Sequence, residues 1–280
     1  MTRIVESRLI AKVVKDLCLK ANTDLRKDIL SALKKARKEE YSSKSGRMLD
    51  IVIENAAIAK KKKFPICQDT GMAVVYLKIG QSVMIKGDIK KAVENGIGQA
   101  YREGYLRKSV VSDPLIRKNT KTNLPAIIHI DLMPGAKIDI RVAIKGFGCE
   151  NMSRTKMFRP TDSSRAIEDF VVASVKEAGS RPCPPVYVGV GIGGALDKAV
   201  SLSKEAIFRS VGDHNKVQLI AMLEKNILKR INNLKIGVMG IGGRVTALGV
   251  SILTYPTHIA GLPVAVNISC HATRDARKVI

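Results

Sequence analysis

Three of the five cysteines lie in loop-like segments that also carry polar groups. Cys67 belongs to FPICQDTG, Cys183 to SRPCPPVYVG and Cys270 to VNISCHATR. An iron–sulfur cube with one iron left unbound by protein needs three thiolates, and these three would suit it. Segments so far apart in sequence meet only if the fold brings them together. The residues alone therefore leave two interpretations open, a cluster site or three unrelated cysteines.

The cysteine pattern also indicates a reducing compartment. The number of cysteines is odd, and no CxxC pair supports a zinc ribbon or a redox dithiol. The first twenty residues interrupt their apolar positions with charges, which is not the pattern of a signal peptide. We expect a cytoplasmic protein with reduced thiols. Cys18 falls on the apolar face of a predicted helix and is expected to be a core residue.

The chain is strongly basic, with 48 Lys and Arg against 25 Asp and Glu. Such a charge suits a polyanionic partner, so a nucleic-acid-binding protein is one candidate class. The basic residues are scattered, however, and no zinc-finger spacing or aromatic RNA-binding signature accompanies them. A solvated basic surface, or one that meets an acidic partner, is the other interpretation. No apolar run reaches the length that a membrane-spanning helix needs.

The N-terminal third is predicted to be helical. Apolar spacing indicates an amphipathic helix over residues 6–20, a second helix to about residue 36 and a third from about 46 to 62. Pro65 ends the third helix, so FPICQDTG should be a loop before the strand MAVVYLKI. A further helix is predicted from Ser163 to Ala178, and two more at about 196–210 and 215–231.

The strands are predicted mainly after residue 125. AIIHIDL and KIDIRVAIK both alternate, and MPGA between them suits a type II turn, which predicts an antiparallel hairpin with one wet face. PPVYVGVGIGG reads as a buried strand that runs into a glycine loop, and KIGVMGIGG repeats that pattern. Two last strands should flank YPTHIAGLP. The fold class is therefore α+β or mixed α/β, as one domain over residues 1–280, with two lobes around the cluster site as a variant.

The glycine loops have two interpretations of their own. Gly189, Gly191 and Gly194 satisfy the GxGxxG dinucleotide fingerprint, but the second strand ending in Asp or Glu that the fingerprint requires is absent. A Rossmann site is therefore disfavoured. The loops either offer backbone N–H groups to an anion or simply permit tight turns.

Five motifs in a fixed order identify a known family. ICQDTG, YLRKSVVSDPL, KGFGCENMS, PPVYVGVGIGG and THIAGLPVAVNISCHATR together resemble the class I, iron–sulfur fumarate hydratases and the closely related L-tartrate dehydratases. The likeness covers almost the whole chain and is to the alpha subunit of the two-subunit forms, equivalent to the N-terminal half of the single-chain enzymes.

The resemblance implies a role for nine residues. A 4Fe–4S cluster would be held by Cys67, Cys183 and Cys270; the catalytic residues would be Asp69 and His258; and substrate would be bound by Gln68, Arg107, Gly146 and Gly148. The open iron would act as a Lewis acid, which suits the loss of hydroxide from a 2-hydroxy acid. A guanidinium is suited to a substrate carboxylate because of its fork geometry.

The resemblance also implies a reaction and partners. We expect the reversible hydration of fumarate to (S)-malate in the tricarboxylic acid cycle, with L-tartrate dehydration to oxaloacetate as the alternative. A separate beta subunit should carry the remaining catalytic residues, and two copies of each subunit should form a heterotetramer. Cys149 stands where the family more often has serine, and Phe147 where it more often has glycine. We expect Cys149 to replace a hydroxyl rather than to bind iron.

Overall fold

The computed structural model describes residues 2–280. Its helices are α1 (Ser7–Thr23), α2 (Lys27–Glu39), α3 (Ser43–Lys62), α4 (Ile89–Glu103), α5 (Phe147–Glu150), α6 (Ser164–Ala178), α7 (Leu196–Ala206) and α8 (Gln218–Asn232). Its strands are β1 (Arg3–Glu6), β2 (Met72–Gly80), β3 (Val83–Lys86), β4 (Ile127–Met133), β5 (Ile138–Lys145), β6 (Arg154–Phe158), β7 (Val186–Gly193), β8 (Ala247–Tyr255), β9 (Leu262–Ser269) and β10 (Arg274–Val279). None of the helices in this described part is long and apolar enough to cross a bilayer.

These elements confirm the α+β class. The three N-terminal helices and α6 lie where the apolar spacing predicted them, because each buries one apolar stripe. The chain forms two compact units. Unit 1 consists of residues 2–26, 55–147 and 274–280, and unit 2 of residues 27–54 and 148–273. The prediction of one domain, with two lobes around a common site, stays a prediction.

Unit 1 is built on a four-stranded sheet with the order β10-β5-β2-β4. Strand β2 is antiparallel to β5 and parallel to β4. Helices α1 and α4 pack together, and α1 also packs on β5 and β10. The core between them is aliphatic, with Ile10, Val14, Val75, Ile97 and Ile140 all fully buried.

The predicted hairpin of β4 and β5 is wrong. Both strands exist, but β2 lies between them, so β4 and β5 do not pair. Strand β2 carries an almost unbroken apolar run and is buried at most positions, so it takes a central place in the sheet. The turn residues of MPGA indicated a chain reversal, which occurs, but they could not indicate that a third strand enters between its arms.

Unit 2 contains a second four-stranded sheet with the order β6-β9-β7-β8. Strand β7 is parallel to β8 and antiparallel to β9. Its valines at 186, 188 and 190 join the core cluster that includes α6 and α8 residues. On the alternate positions, Gly189 and Gly191 lie directly under α7, and a Cβ on either would overlap the Ser203 or the Ala199 carbonyl oxygen.

Gly189 and Gly191 of the first glycine motif therefore serve helix packing. They allow α7 to approach β7 more closely than any side chain would permit. The second motif, at residues 240–243, is preceded by a 3₁₀ turn (Val238–Gly240) rather than by the strand that the repeated pattern predicted. No regular strand forms there because the backbone folds back on itself, and Gly237 contacts the Gly242 backbone.

Candidate active site

The loop with the ICQDTG motif lies in unit 1 between α3 and β2. The Ile66 N–H donates to the Asn22 carbonyl at 2.8 Å, which fixes the start of the loop. Gly71 closes it with φ +64°, and a Cβ there would lie 2.6 Å from the Lys145 carbonyl oxygen. Only glycine meets both conditions. The loop presents Cys67 half-buried and Gln68 exposed.

Asp69 connects this loop to the KGFG segment. One carboxylate oxygen, Oδ1, accepts the Gly71 N–H at 2.9 Å, and the other, Oδ2, accepts the Phe147 N–H at 2.8 Å. A Cβ on Gly146 would lie 3.0 Å from Oδ2, so the backbone approaches the carboxylate closely at this residue. The structure thus brings together two of the predicted site residues, Asp69 and Gly146.

A buried tyrosine, which the sequence interpretation missed, supports the same loop. Tyr101 is fully buried on α4, and its hydroxyl donates to the carbonyls of Thr70 and Gly71 at 2.5 and 3.0 Å. Burial raises the pKa of Tyr101, so the phenol keeps its proton. The Thr70 hydroxyl in turn donates to the Arg107 carbonyl at 2.7 Å. The exposed Arg107 is therefore held beside the ICQDTG loop by its backbone.

Asn123 adds a second buried bridge. Its amide nitrogen donates to the Gly71 carbonyl at 3.1 Å, and its amide oxygen accepts the Ser109 and Val110 N–H groups at 2.7 and 3.1 Å. Three buried polar side chains, those of Thr70, Tyr101 and Asn123, thus join the Cys67 and Arg107 loops. The signal that could have found them is a polar residue within an otherwise buried segment, but sequence alone does not identify its partner.

A buried cation lies next to Asp69. Arg274 is 5% exposed, and its Nη1 is 3.4 Å from the Asn22 amide oxygen. A Cβ on Gly146 would contact both Arg274 Nη2 and Asp69 Oδ2, so the guanidinium and the carboxylate flank one point of the backbone. Among residues 2–280 no acceptor bonds its Nε. This placement supports a positioning role for Arg274.

In unit 2 the other two predicted ligands lie at one end of the sheet. Cys183 precedes β7 and Cys270 follows β9, and these strands are antiparallel neighbours with Tyr187 opposite Ser269. The His271 ring nitrogen Nδ1 lies 3.0 Å from the Cys183 carbonyl oxygen. The two cysteine loops are therefore in direct contact through His271.

Two further segments support the Cys183 loop. The Met239 N–H, from the second glycine motif, donates to the Pro184 carbonyl at 2.8 Å. The Cys149 thiol lies 3.6 Å from the Pro182 carbonyl oxygen, within the range of a sulfur hydrogen bond. Cys149 thus makes the kind of contact that a serine hydroxyl would make. This geometry supports the expectation that it replaces a hydroxyl.

His258 lies at the opposite end of the sheet. It is exposed in the loop between β8 and β9, and its Nδ1 accepts the Ala260 N–H at 3.2 Å. Eight residues of β9 separate this loop from Cys270, a distance of about 25 Å at the usual rise. The structure therefore does not bring His258 to Cys183 and Cys270 within unit 2. Gly148, the remaining predicted site residue, is exposed at the start of α5.

The five cysteines differ in accessibility. Cys67 and Cys270 are partly exposed and Cys183 is exposed, whereas Cys18 and Cys149 are buried. Burial raises the pKa of Cys18 to about 12, which keeps it a neutral thiol in the unit 1 core as predicted. Cysteine thiolates are the ligands that hold iron–sulfur clusters in proteins. No group of three His, Cys, Asp or Glu side chains in residues 2–280 forms a site for a metal ion.

Each unit thus presents loops with accessible thiols, and unit 1 adds an exposed arginine and a carboxylate held by backbone donors. Comparison with known proteins identifies the class. Residues 11–279 match the family described as fumarate hydratase (Fumerase). The chain belongs to this family, and it is an enzyme of the hydro-lyase class.

Three relatives show over how much of each chain the sequence similarity extends. A Methanocaldococcus jannaschii protein named "Putative L(+)-tartrate dehydratase subunit alpha" is 43% identical over 279 residues, 97% of each chain. The Escherichia coli "L(+)-tartrate dehydratase subunit alpha" is 28% identical over 95% of this chain and 88% of its own. A Geobacillus stearothermophilus "Putative fumarate hydratase class I" is 32% identical over 92% of this chain but only 52% of its own length. The chain thus matches the length of the alpha subunits.

Proposed function

We propose that this chain is the alpha subunit of an iron–sulfur hydro-lyase that reversibly hydrates fumarate to (S)-malate. A separate beta subunit would complete the active site, in a heterotetramer with two copies of each chain. The observation that carries the proposal is the near full-length match to alpha subunits, together with accessible cysteines at the predicted ligand positions. A cytoplasmic location belongs to the proposal because such thiols need a reducing compartment.

In this proposal Cys67, Cys183 and Cys270 hold a 4Fe–4S cluster. The contact between the Cys183 and Cys270 loops supports two of the three ligands. When bound, the cluster would supply a Lewis acid for the substrate hydroxyl. These three thiols suit the cluster as a donor set because they are more accessible than the thiols of Cys18 and Cys149.

The chain's own residues would bind and orient the dicarboxylate. Arg107 is exposed beside the Cys67 loop and can pair with a substrate carboxylate. Gln68, exposed next to Cys67, can donate from its amide to a second substrate oxygen. The backbone at Gly146 and Gly148 leaves room for close approach, since neither residue carries a side chain. Water leaves as hydroxide from one carbon and a proton from the next, so the reaction also needs a base.

Asp69 is the proposed proton-handling group on this chain. Each Asp69 oxygen accepts one backbone N–H and retains acceptor capacity for a substrate proton. His258 lies about a strand's length from Cys270, so the two residues of one chain cannot contact the same small dicarboxylate. His258 is therefore not proposed to act on a substrate at that cluster. The base itself is assigned to the beta subunit.

L-tartrate is the second candidate substrate. The names of the Methanocaldococcus jannaschii and Escherichia coli relatives favour it, whereas the family description and the Geobacillus relative favour fumarate. Fumarate, malate and tartrate are all small dicarboxylates that an arginine fork can bind. A hydro-lyase would give oxaloacetate and water from tartrate.

The test is anaerobic reconstitution of the chain with iron, sulfide and its beta partner, assayed in parallel on fumarate, malate and tartrate. We expect a brown protein with about four irons per chain, and turnover of one substrate pair only when both subunits are present. The Arg107→Lys variant should lose about 100-fold in kcat/KM with its iron content unchanged, because lysine cannot form the fork. Arg102→Lys, on the exposed end of α4, is the matched control. Colourless protein, or full turnover by the alpha chain alone, would refute the proposal.

A further inference from the structure

Strand β4 is the outermost strand of the unit 1 sheet. One side pairs with β2, and no strand in the described chain pairs with its other side. An edge strand leaves backbone N–H and C=O groups open to a second chain, and proteins usually protect such edges with lysine, proline or a bulge. Strand β4 reads IIHIDLM and contains neither lysine nor proline.

The absence of Lys and Arg around β4 contrasts with the rest of the chain. Lys and Arg make up 48 of the 280 residues, yet the segment 122–136 contains neither. A chain with net charge +23 repels its own copies over most of its surface, so a stretch without cations is where two copies can approach. Strand β4 lies within that stretch.

The strand also exposes apolar side chains. Ile130 is 56% exposed and Leu132 is 65% exposed. They lie opposite Leu77 and Ile79 of β2, which belong to the buried core, so they share the core-facing side of the sheet. Their exposure shows that the helices of the unit 1 core do not cover these two residues. A strand that paired with the open edge of β4 would place its own side chains beside Ile130 and Leu132.

The outward-facing backbone groups can be assigned. The Met133 carbonyl accepts the Gln81 N–H, so residue 133 bonds toward the β2 side. The Leu132 N–H instead donates to the side chain of Asp131 at 2.9 Å. Because bonding direction alternates along a strand, the N–H and C=O groups of Ile128 and Ile130 and the Leu132 carbonyl face the open edge, whereas Asp131 already occupies the Leu132 N–H.

We propose that β4 pairs antiparallel with β4 of a second copy of this chain, about a two-fold axis at Ile130. In this register Ile130 lies opposite Ile130 of the second copy, and Ile128 lies opposite its Leu132. His129 lies opposite Asp131 of the second copy, and the reciprocal pair forms by symmetry. The strand is therefore complementary to itself in backbone bonding and in apolar contact. The two sheets become one sheet of eight strands.

This proposal does not depend on the hydro-lyase activity. It assigns a surface to the contact between alpha chains in the heterotetramer, and it can fail while the enzymatic proposal holds. It is tested by measuring the mass of the full alpha chain in solution. The register of the paired strands is tested by a separate experiment.

Cysteine cross-linking tests the register. Residues opposite each other in a hydrogen-bonded antiparallel pair have Cα atoms about 5.5 Å apart, within the range of a disulfide. Under mild oxidation, Ile130→Cys should give a covalent dimer well above the wild-type background from the native cysteines. Leu132→Cys is the control, since it is more exposed but should lie about 14 Å from its copy in this register. Equal cross-linking of the two variants would overturn the proposed pairing.

Sedimentation velocity tests the interface. The wild-type alpha chain should sediment at twice the mass of one chain. Ile130→Lys places two ammonium groups at the two-fold axis and should raise the dimer dissociation constant at least about tenfold. Met84→Lys, on β3 in the same unit and 57% exposed, is the matched control and should leave it unchanged. A monomeric wild type or an unaffected Ile130→Lys dimer would each overturn the proposal.

Discussion

The two units hold their candidate site loops by different physical means. In unit 1, buried polar side chains join the loops of Cys67 and Arg107, and Tyr101 and Asn123 make the bridging hydrogen bonds. In unit 2, the loops of Cys183 and Cys270 are placed by the ends of adjacent strands, and glycines allow α7 to pack on β7. The first arrangement depends on individual hydrogen bonds and the second on backbone packing, so they should respond differently to substitution.

The largest effects of substitution are expected at the proposed iron ligands in the two units. Cys270→Ala in unit 2 removes one thiolate, and we expect loss of most of the iron and of activity by about 100-fold or more, since even outer-shell changes lower metal affinity about 10–100-fold. Cys67→Ala in unit 1 should behave in the same way. Iron content and visible absorbance after anaerobic reconstitution measure this.

Cys18→Ala is the control, because that thiol lies in the unit 1 core. It should keep full iron content. If Cys67→Ala retains its iron while Cys270→Ala loses it, the assignment of one cluster to the three cysteines is wrong.

Gly191→Ala tests backbone packing in unit 2. The added Cβ would overlap the Ala199 carbonyl oxygen on α7, so α7 must move. We expect a loss of about 3 kcal/mol in the free energy of unfolding, measured by denaturant titration, as for other overpacked cores. Gly261→Ala, where a Cβ would meet no atom within 4 Å, should change stability little. Equal losses for both variants would show that helix approach is not the constraint.

Tyr101→Phe tests the hydrogen bonds of unit 1. The change removes a buried donor from the Thr70 and Gly71 carbonyls and should lower the free energy of unfolding by about 2 kcal/mol. Because the Arg107 loop is anchored through Thr70, we also expect KM for the substrate to rise. Tyr105→Phe, with the side chain 93% exposed, is the control. An unchanged KM together with reduced stability would assign Tyr101 a purely structural role.

The smallest expected effect concerns pH. Burial raises the pKa of Cys18 from 9.0 to about 12, so the folded state holds a proton that the unfolded chain releases above pH 9. This contribution to stability is complete below pH 9 and is lost as the pH rises toward 12. Near pH 10 the wild type should lose about 1 kcal/mol relative to pH 8 that Cys18→Ala does not lose. Parallel curves for the two proteins would contradict this linkage.

The sequence predicted the positions of individual helices and strands better than it predicted which strands pair with each other. The helices α1, α3 and α6 and the positions of β4 and β5 follow from apolar spacing and turn residues, which act over a few residues. Strand β4 pairs with β2 because the most completely apolar strand takes a central place in the sheet. That placement depends on all strands of the sheet, so the hairpin prediction was wrong. Likewise, the glycines of β7 looked like a loop signal because sequence does not reveal that a helix lies above them.

The sequence by itself determined the family, because five motifs in order need no structure to be recognised, and it determined that Cys18 is a core residue. The tertiary structure decided that the Cys183 and Cys270 loops touch through His271, that Asp69 binds the Phe147 backbone, and that His258 lies a strand's length from Cys270. The reason is that spacing along a chain fixes local geometry only. Contact between distant loops depends on strand order, and strand order is set by burial summed over the whole sheet.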